Sequence, residues 1–452
     1  MKSFRIQAII TSLCLLLLTG CGSETASVSP SAKAFIDWAE DNAIVFKTTE
    51  PGSGFDDLVK FGAIVGDAQV VCLGESRHDA HEQFRLKHRL IEYLVIEKGF
   101  TLFALEEGLP YGEKVNQYIL GGEGSAEDIL SGMGAWYIWD TEEVLVLLKW
   151  MRKHNDSVTE DKKVRFCGID IVDPFPGLVN ILGYLDVVDS RYASTMRNKQ
   201  IGMELFRASF WSEIIERYRS LPPAEVDVLA LNISEIVEQF ENSKESYITK
   251  TSLDDYMLAY RQTVTVQQAN EMFTTFIRGT FTEAGDVRER GTTDNILWHL
   301  NRHGDNAKMI VWAHNFHVSR DAFDLNIPNR PVSEGMIPMA HYVAAELGDN
   351  LVSFGFSFYE DSYEEIELPP TEDDMVDAAL NAVGAETFAI DFRKAPTSGL
   401  VHDWLNEKQK LRGQGGVAHL IPSKSFDAMI FTRHITKSIM TPRARTRFEA
   451  MR

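Results

Sequence analysis

Hydrophobic positions in this chain follow two rhythms. Short apolar runs bounded by turn-forming residues recur at Gln69–Leu73, Thr101–Leu105, Val164–Cys167, Lys308–Trp312, Leu351–Phe354, Thr387–Ile390 and Ala428–Phe431. Runs this short predict strands, and continuous rather than alternating apolarity predicts burial on both faces. Between them the apolar positions shift to a helical period, as in Leu86, Leu90, Ile91, Leu94 and Val95. Strands alternating with amphipathic helices predict an α/β fold, a mainly parallel sheet with helices on both faces.

The strand rhythm stops between residues 185 and 300. Helical periods fill that stretch, including Pro223–Phe240, Leu253–Arg278 and Thr292–Arg302. An inserted helical lobe is expected there, dividing the α/β core into residues 32–184 and 301–452. A lobe above the carboxyl edge of a sheet often closes a ligand pocket. A helical lead-in is expected over Ala32 to Gly66.

The amino terminus has its own pattern. Lys2 and Arg5 precede an apolar stretch from Ile6 to Leu18, which ends in Leu18-Thr19-Gly20-Cys21. The stretch is short for a membrane span and fits a signal sequence over residues 1–20. The final four residues have the form of a lipobox, so lipidation is expected on Cys21, with residues 21–31 as a tether. A lipid-anchored protein of the cell envelope is expected, touching the membrane through that anchor alone. An ordinary cleaved signal is the alternative.

Composition changes the picture modestly. The 452 residues are 44% hydrophobic and 25% charged, enough apolar content for a sizeable core. The formal net charge of -21 opposes binding to nucleic-acid phosphates, so no nucleic-acid partner is expected. Of the 4 cysteines, Cys14 and Cys21 fall in the leader and its end, while Cys72 and Cys167 sit in apolar runs and are expected to be inert thiols.

In open parallel sheets, ligands bind beyond the carboxyl ends of the strands. The residues just after each strand-like run are therefore informative. Gly74-Glu75-Ser76-Arg77-His78 succeeds the first, Glu106-Glu107 the second, Gly168-Ile169-Asp170 the third, and Ala313-His314-Asn315-Phe316-His317 the fourth. His78 is expected near the start of a helix, where the helix dipole would lower its pKa and favour the neutral base. Glu75 or Glu106 would orient it. His314 and His317 are candidates to stabilise an oxyanion or protonate a leaving group. Asp170, Arg288, Asn295 and Ser76 are candidate substrate contacts, and Arg290 could join Arg288 in holding a carboxylate. Two H-x-x-H pairs, His78/His81 and His314/His317, keep zinc open, although no H-E-x-x-H is present. There is no Walker A loop, dinucleotide fingerprint or G-x-S-x-G elbow.

Together these segments resemble the erythromycin esterase family. The resemblance rests on Gly74-Glu75-x-x-His78, on Gly99-Phe100-Thr101-x-x-Ala104-x-Glu106 and on Trp312-Ala313-His314-Asn315-x-His317, with Gly168-Ile169-Asp170 and the Arg288 to Asn295 segment in support. It covers roughly Phe61 to Phe358. It implies a carboxylic-ester hydrolase without a cofactor, cleaving a macrolide-like lactone through water activated by His78. Glu75, Glu106, His314 and His317 fall on its other catalytic positions. Two departures stand out: Lys87 occupies the place of a family arginine, and Thr292-Thr293 replaces a Met-Ala pair. A haem- or metal-binding envelope lipoprotein, or a zinc-dependent hydrolase on the same fold, is the alternative.

Overall fold

The computed structural model describes residues 28–133, 137–199, 201–208, 211–326, 333–363, 371–413 and 416–451. The expected signal sequence and Cys21 lie outside them. Among the described residues, no helix is long and apolar enough to cross a membrane.

Among the described residues, twelve strands form two sheets: β1 (Ile44–Val45), β2 (Val70–Leu73), β3 (Leu102–Gly108), β4 (Arg165–Asp170), β5 (Met309–Trp312), β6 (Phe323–Asn326), β7 (Ser333–Met336), β8 (Leu351–Asp361), β9 (Thr387–Asp391), β10 (Gln409–Gly413), β11 (Gly416–Leu420) and β12 (Ala428–Ile435). The main sheet has 8 strands in the order β1-β9-β12-β8-β2-β5-β3-β4. From β12 to β4 every neighbouring pair is parallel, while β9 and β1 add antiparallel pairings at one edge. All seven apolar runs of the sequence are strands of this sheet.

Alternation along each strand feeds two cores. Val71, Leu73, Phe103, Leu105, Ile310 and Trp312 pack on one face. Val70, Cys72, Leu102, Ala104, Met309 and Val311 pack on the other. Helices cover both faces, so few polar positions fall inside the strands and the runs read as largely apolar. Cys72 and Cys167 are buried free thiols, and burial pushes the Cys72 thiol up to about 12.

Between β4 and β5 the described residues form helices alone, from Phe175–Val188 through Phe281–His303. The run opens ahead of the expected start at residue 185. This lobe has its own apolar cluster, with Leu178, Leu185, Ile215, Leu229, Phe240 and Phe273 among its members. The helical lead-in is not continuous: helix Pro30–Asn42 is followed by β1 and then helix Val59–Val65.

A second sheet, β10-β11-β6-β7, is antiparallel and has no counterpart in the apolar pattern of the chain. It matters because its hairpin reaches the carboxyl edge of the main sheet. A Cβ at Gly413 would meet the Ser76 carbonyl oxygen at 3.2 Å and His314 Nε2 at 3.9 Å.

Candidate active site

Sheet order brings the chemistry together. β2, β5, β3 and β4 are consecutive neighbours. Their carboxyl ends carry Glu75 and His78, His314 and His317, Glu106, and Asp170. Residues more than two hundred positions apart in sequence thus share one edge.

Gly74 and Asn315 fix that edge. Asn315 donates its backbone N–H to the Glu75 carbonyl at 2.9 Å. Its side chain bonds β8 from both sides, donating to the Phe356 carbonyl at 2.7 Å and accepting the Phe356 N–H at 2.9 Å. A Cβ at Gly74 would collide with Asn315 Oδ1 and lie 2.9 Å from the Phe354 carbonyl. Glycine is needed there for close approach, not for an unusual dihedral.

Glu75 is fully buried and bonded from three directions. It accepts from His78 Nδ1 at 2.6 Å, Lys87 Nζ at 2.5 Å and Trp312 Nε1 at 2.6 Å. Burial pushes its carboxyl up, but Lys87 and His78 outweigh burial and hold it below the usual range. Because a carboxylate only accepts, the proton between Glu75 and His78 sits on Nδ1. The Lys87 ammonium also lies 3.8 Å over the Trp312 ring, and burial pushes it down to about 8.

The lowering of the His78 pKa expected from the helix dipole is not realised. The helix begins at His81, with Ala80 as its cap, so His78 precedes it. Burial alone would lower the imidazole pKa. The hydrogen bond to Glu75 and the charge of Glu106 overcome it, and the net shift is upward. His81 turns away to pair with Glu143.

Glu106 accepts from Arg288 and from His317 Nε2, each at 3.0 Å, and from the His314 backbone N–H at 3.0 Å. Burial raises its pKa, but these cations hold it well below the usual value. His317 is gripped on both sides, since Nδ1 lies 2.8 Å from Glu289 Oε2. A ring facing carboxylates at both nitrogens must carry both protons. Burial opposes that charge, yet Glu106 and Glu289 raise His317 to about 10. His314 is the opposite case. Its Nδ1 accepts the Phe316 N–H at 3.2 Å, which leaves the proton on Nε2, 3.3 Å from the Ser76 carbonyl. Burial and the neighbouring His78 push it down to about 3, so it is neutral. The His78 and His314 rings lie 5.1 Å apart.

Arg288, from helix Phe281–His303, bridges to Asp170 at 2.6 and 3.1 Å and to Glu106. Other expected contacts lie elsewhere. Asn295 is fully buried, donating to the Ile169 carbonyl at 2.8 Å and accepting from Arg261 at 2.6 Å and Thr265 at 3.2 Å. Its amide ties helix to strand rather than facing a ligand. Ser76 is fully buried with its hydroxyl on Gln83 Oε1 at 2.9 Å. Arg290 pairs with Asp286 at 2.9 Å on the outer face. The zinc alternative required clustered donors. Among the described residues no three His, Cys, Asp or Glu side chains are grouped to hold a metal ion.

Glu289 is a site residue that sequence reasoning missed. Its signal is a carboxylate in register with Thr292, Thr293 and Ile296 on the buried face of its helix.

The His317 clamp gives a pH prediction. The folded pKa is raised above the unfolded value of about 6.5, so its stabilisation is complete below that pH and declines as pH rises toward about 10. Between pH 6.5 and 7, below most of the titration of Lys87 at about 8, unfolding free energy is expected to fall by up to about 1.4 kcal/mol per pH unit. Urea titrations across that window should show a shallower slope in His317→Asn. Equal slopes would refute the clamp.

Buried carboxylates, one clamped imidazolium and a second, carboxylate-backed imidazole at the end of a parallel sheet define an α/β enzyme site suited to hydrolysis. The chain belongs to the erythromycin esterase family, whose sequence profile matches residues 95–435. Membership supports ester hydrolysis as its activity. The matched span includes Glu106, Asp170, Arg288, His314 and His317; Glu75 and His78 precede it. The chain is 25% identical over 389 residues to "Erythromycin esterase type II" of Escherichia coli, covering 80% of this chain and 90% of that protein. A crystal structure of a Bacillus cereus protein is similar at TM-score 0.76 and 26% identity, over 91% of this chain and 99% of that one. The fold is also that of an erythromycin esterase mutant, EreC, in its open conformation, with TM-score 0.69 and 15% identity over 87% of this chain and 98% of that one.

Proposed function

We propose that this protein hydrolyses a carboxylic ester of the macrolide-lactone kind, with His78 as the base that activates water. The observation that carries the proposal is the Glu75–His78 pair at 2.6 Å. With Nδ1–H held by Glu75, Nε2 is the ring nitrogen that takes a proton. In the first step His78 Nε2 removes a proton from water as the water oxygen bonds to the ester carbonyl carbon, and the carbonyl electron pair moves to its oxygen. In the second step the tetrahedral adduct collapses, the carbon–alkoxide bond breaks, and the alkoxide takes the proton from His78. A lactone then yields one hydroxy acid.

The oxyanion needs positive charge that does not have to reorganise. The His317 imidazolium and Arg288 guanidinium provide it, and neutral His314 offers an Nε2–H beside His78. Both Glu106 oxygens are already engaged, which favours a role in holding those groups rather than in placing water. The Trp139 ring, 6.0 Å from His78, adds an apolar wall.

The test uses macrolide lactones and simple esters followed by chromatography and mass. Addition of one water to a lactone is expected. Stable substrate across the panel, with folded protein, would sink the proposal.

A further inference from the structure

Glu106 does its work beside a second glutamate that the mechanism leaves unused. β3 pairs Leu105 with Gly168 and Gly108 with Asp170, so Glu106 and Glu107 together stand opposite one residue of β4. Such a bulge re-aims side chains and is common beside active sites. Glu107 is fully buried. Its Oε1 accepts the Gly108 N–H at 2.7 Å, and its Oε2 has no hydrogen-bond partner among the described residues. A buried polar atom left unbonded is costly and calls for a ligand or another explanation.

The strongest charges acting on Glu107 are the like charges of Asp173, Asp170 and Glu106. Asp170 and Glu106 already have Arg288. Asp173 precedes helix Phe175–Val188, is partly exposed, and is bonded by the Phe175 N–H and the Tyr111 side chain. Burial, with these like charges, lifts Glu107 well above the carboxylate range and Asp173 to about 6. A cation delivered between them would relieve both.

We propose that Glu107 and Asp173 form an acidic subsite that receives a protonated amine carried by the ester substrate. The proposal rests on the ester-hydrolase reading above. Asp173 supplies the exposed entrance and Glu107 the buried end. Asp170 links the subsite to Arg288 and so to the His78 edge. A compact metal ion fits less well, because the described residues offer no group of three donors for one. An organic ammonium fits better, because its one to three N–H donors need only as many acceptors and its charge is balanced by the carboxylates around it.

The test compares two esters of one acyl group, one bearing a tertiary amine and the other its uncharged carbon isostere. Wild-type KM is expected to be about tenfold lower for the amine, the size of a charge-assisted hydrogen bond. Asp173→Asn and Glu107→Gln should reduce that ratio toward one. Because the ratio is taken within each variant, a general loss of activity cancels. A structural role would move both KM values alike, and unchanged ratios would overturn the subsite. If neither ester is cleaved, the hydrolase reading fails separately. The subsite is then judged by thermal stabilisation with triethylammonium chloride against sodium chloride at equal strength. Stabilisation of wild type that is lost in Asp173→Asn supports it, and no stabilisation refutes it.

Discussion

Replacing His78 by Asn is expected to cut ester turnover by about 10²–10⁴-fold, the usual contribution of a positioned acid–base group. Folding should survive, because the side chain is 17% exposed and Asn retains a donor for Glu75. The wild-type rate should rise with pH through a value above the ordinary histidine pKa of about 6.5, because Glu75 and Glu106 raise His78 against burial. Glu75→Gln removes one of those charges and should move the limb to lower pH. Turnover in His78→Asn close to wild type, measured on any ester the enzyme cleaves, would remove His78 from the chemistry. An unmoved limb in Glu75→Gln would remove the pairing.

Lys87→Met should have the largest effect on stability. Lys87 and Glu75 are both fully buried, and Met restores much of the volume but none of the charge. Breaking a buried pair typically costs about 3–5 kcal/mol, because the remaining ion is left in low dielectric. Some of that loss is offset here, since Trp312 and His78 still bond Glu75. A fall of several kcal/mol in urea unfolding is expected, together with a further rise in the pH limb as His78 becomes the main counter-ion. Lys87→Arg should recover more than Lys87→Met. A change under about 0.5 kcal/mol, the range of ordinary surface substitutions, would show that Lys87 is not the counter-ion.

Much of the main sheet was legible because its strands are buried on both sides. Val70–Leu73 and Met309–Trp312 contain nothing but apolar residues, and runs that short between turn signals fit a buried strand better than a helix. The second sheet was not legible. Gln409–Gly413, Gly416–Leu420 and Phe323–Asn326 are short and mixed in polarity, and the pairing of β11 with β6 joins residues about ninety positions apart. Local pattern carries no information on such partners.

The site shows the same division. That Glu75, His78, Glu106, Asp170, His314 and His317 gather at one edge was legible because parallel strands end there, so position after a strand was enough. Charge states were harder. The dipole of a helix that starts three residues after His78 could not compete with two carboxylates beside it. Ser76 and Asn295 had suitable chemistry, but Gln83 and Arg261 take up their polar atoms, and no local pattern announces either pairing. Arg288 was found while Glu289, its neighbour, was not. Only the tertiary structure shows Glu289 between the His317 ring and the Met339 N–H.

Helix Phe281–His303 lies in two cores at once. Ala284 belongs to the lobe's apolar cluster, while Ile296 and Leu300 belong to the cluster beneath the sheet. Arg288 and Glu289 sit between these ends. The helix is thus a splice that keeps the reacting groups in place while the rest of the lobe is free to diverge. Substitutions on the far side of that splice are therefore expected to leave the contacts of Arg288 and Glu289 with Asp170, Glu106 and His317 unmoved.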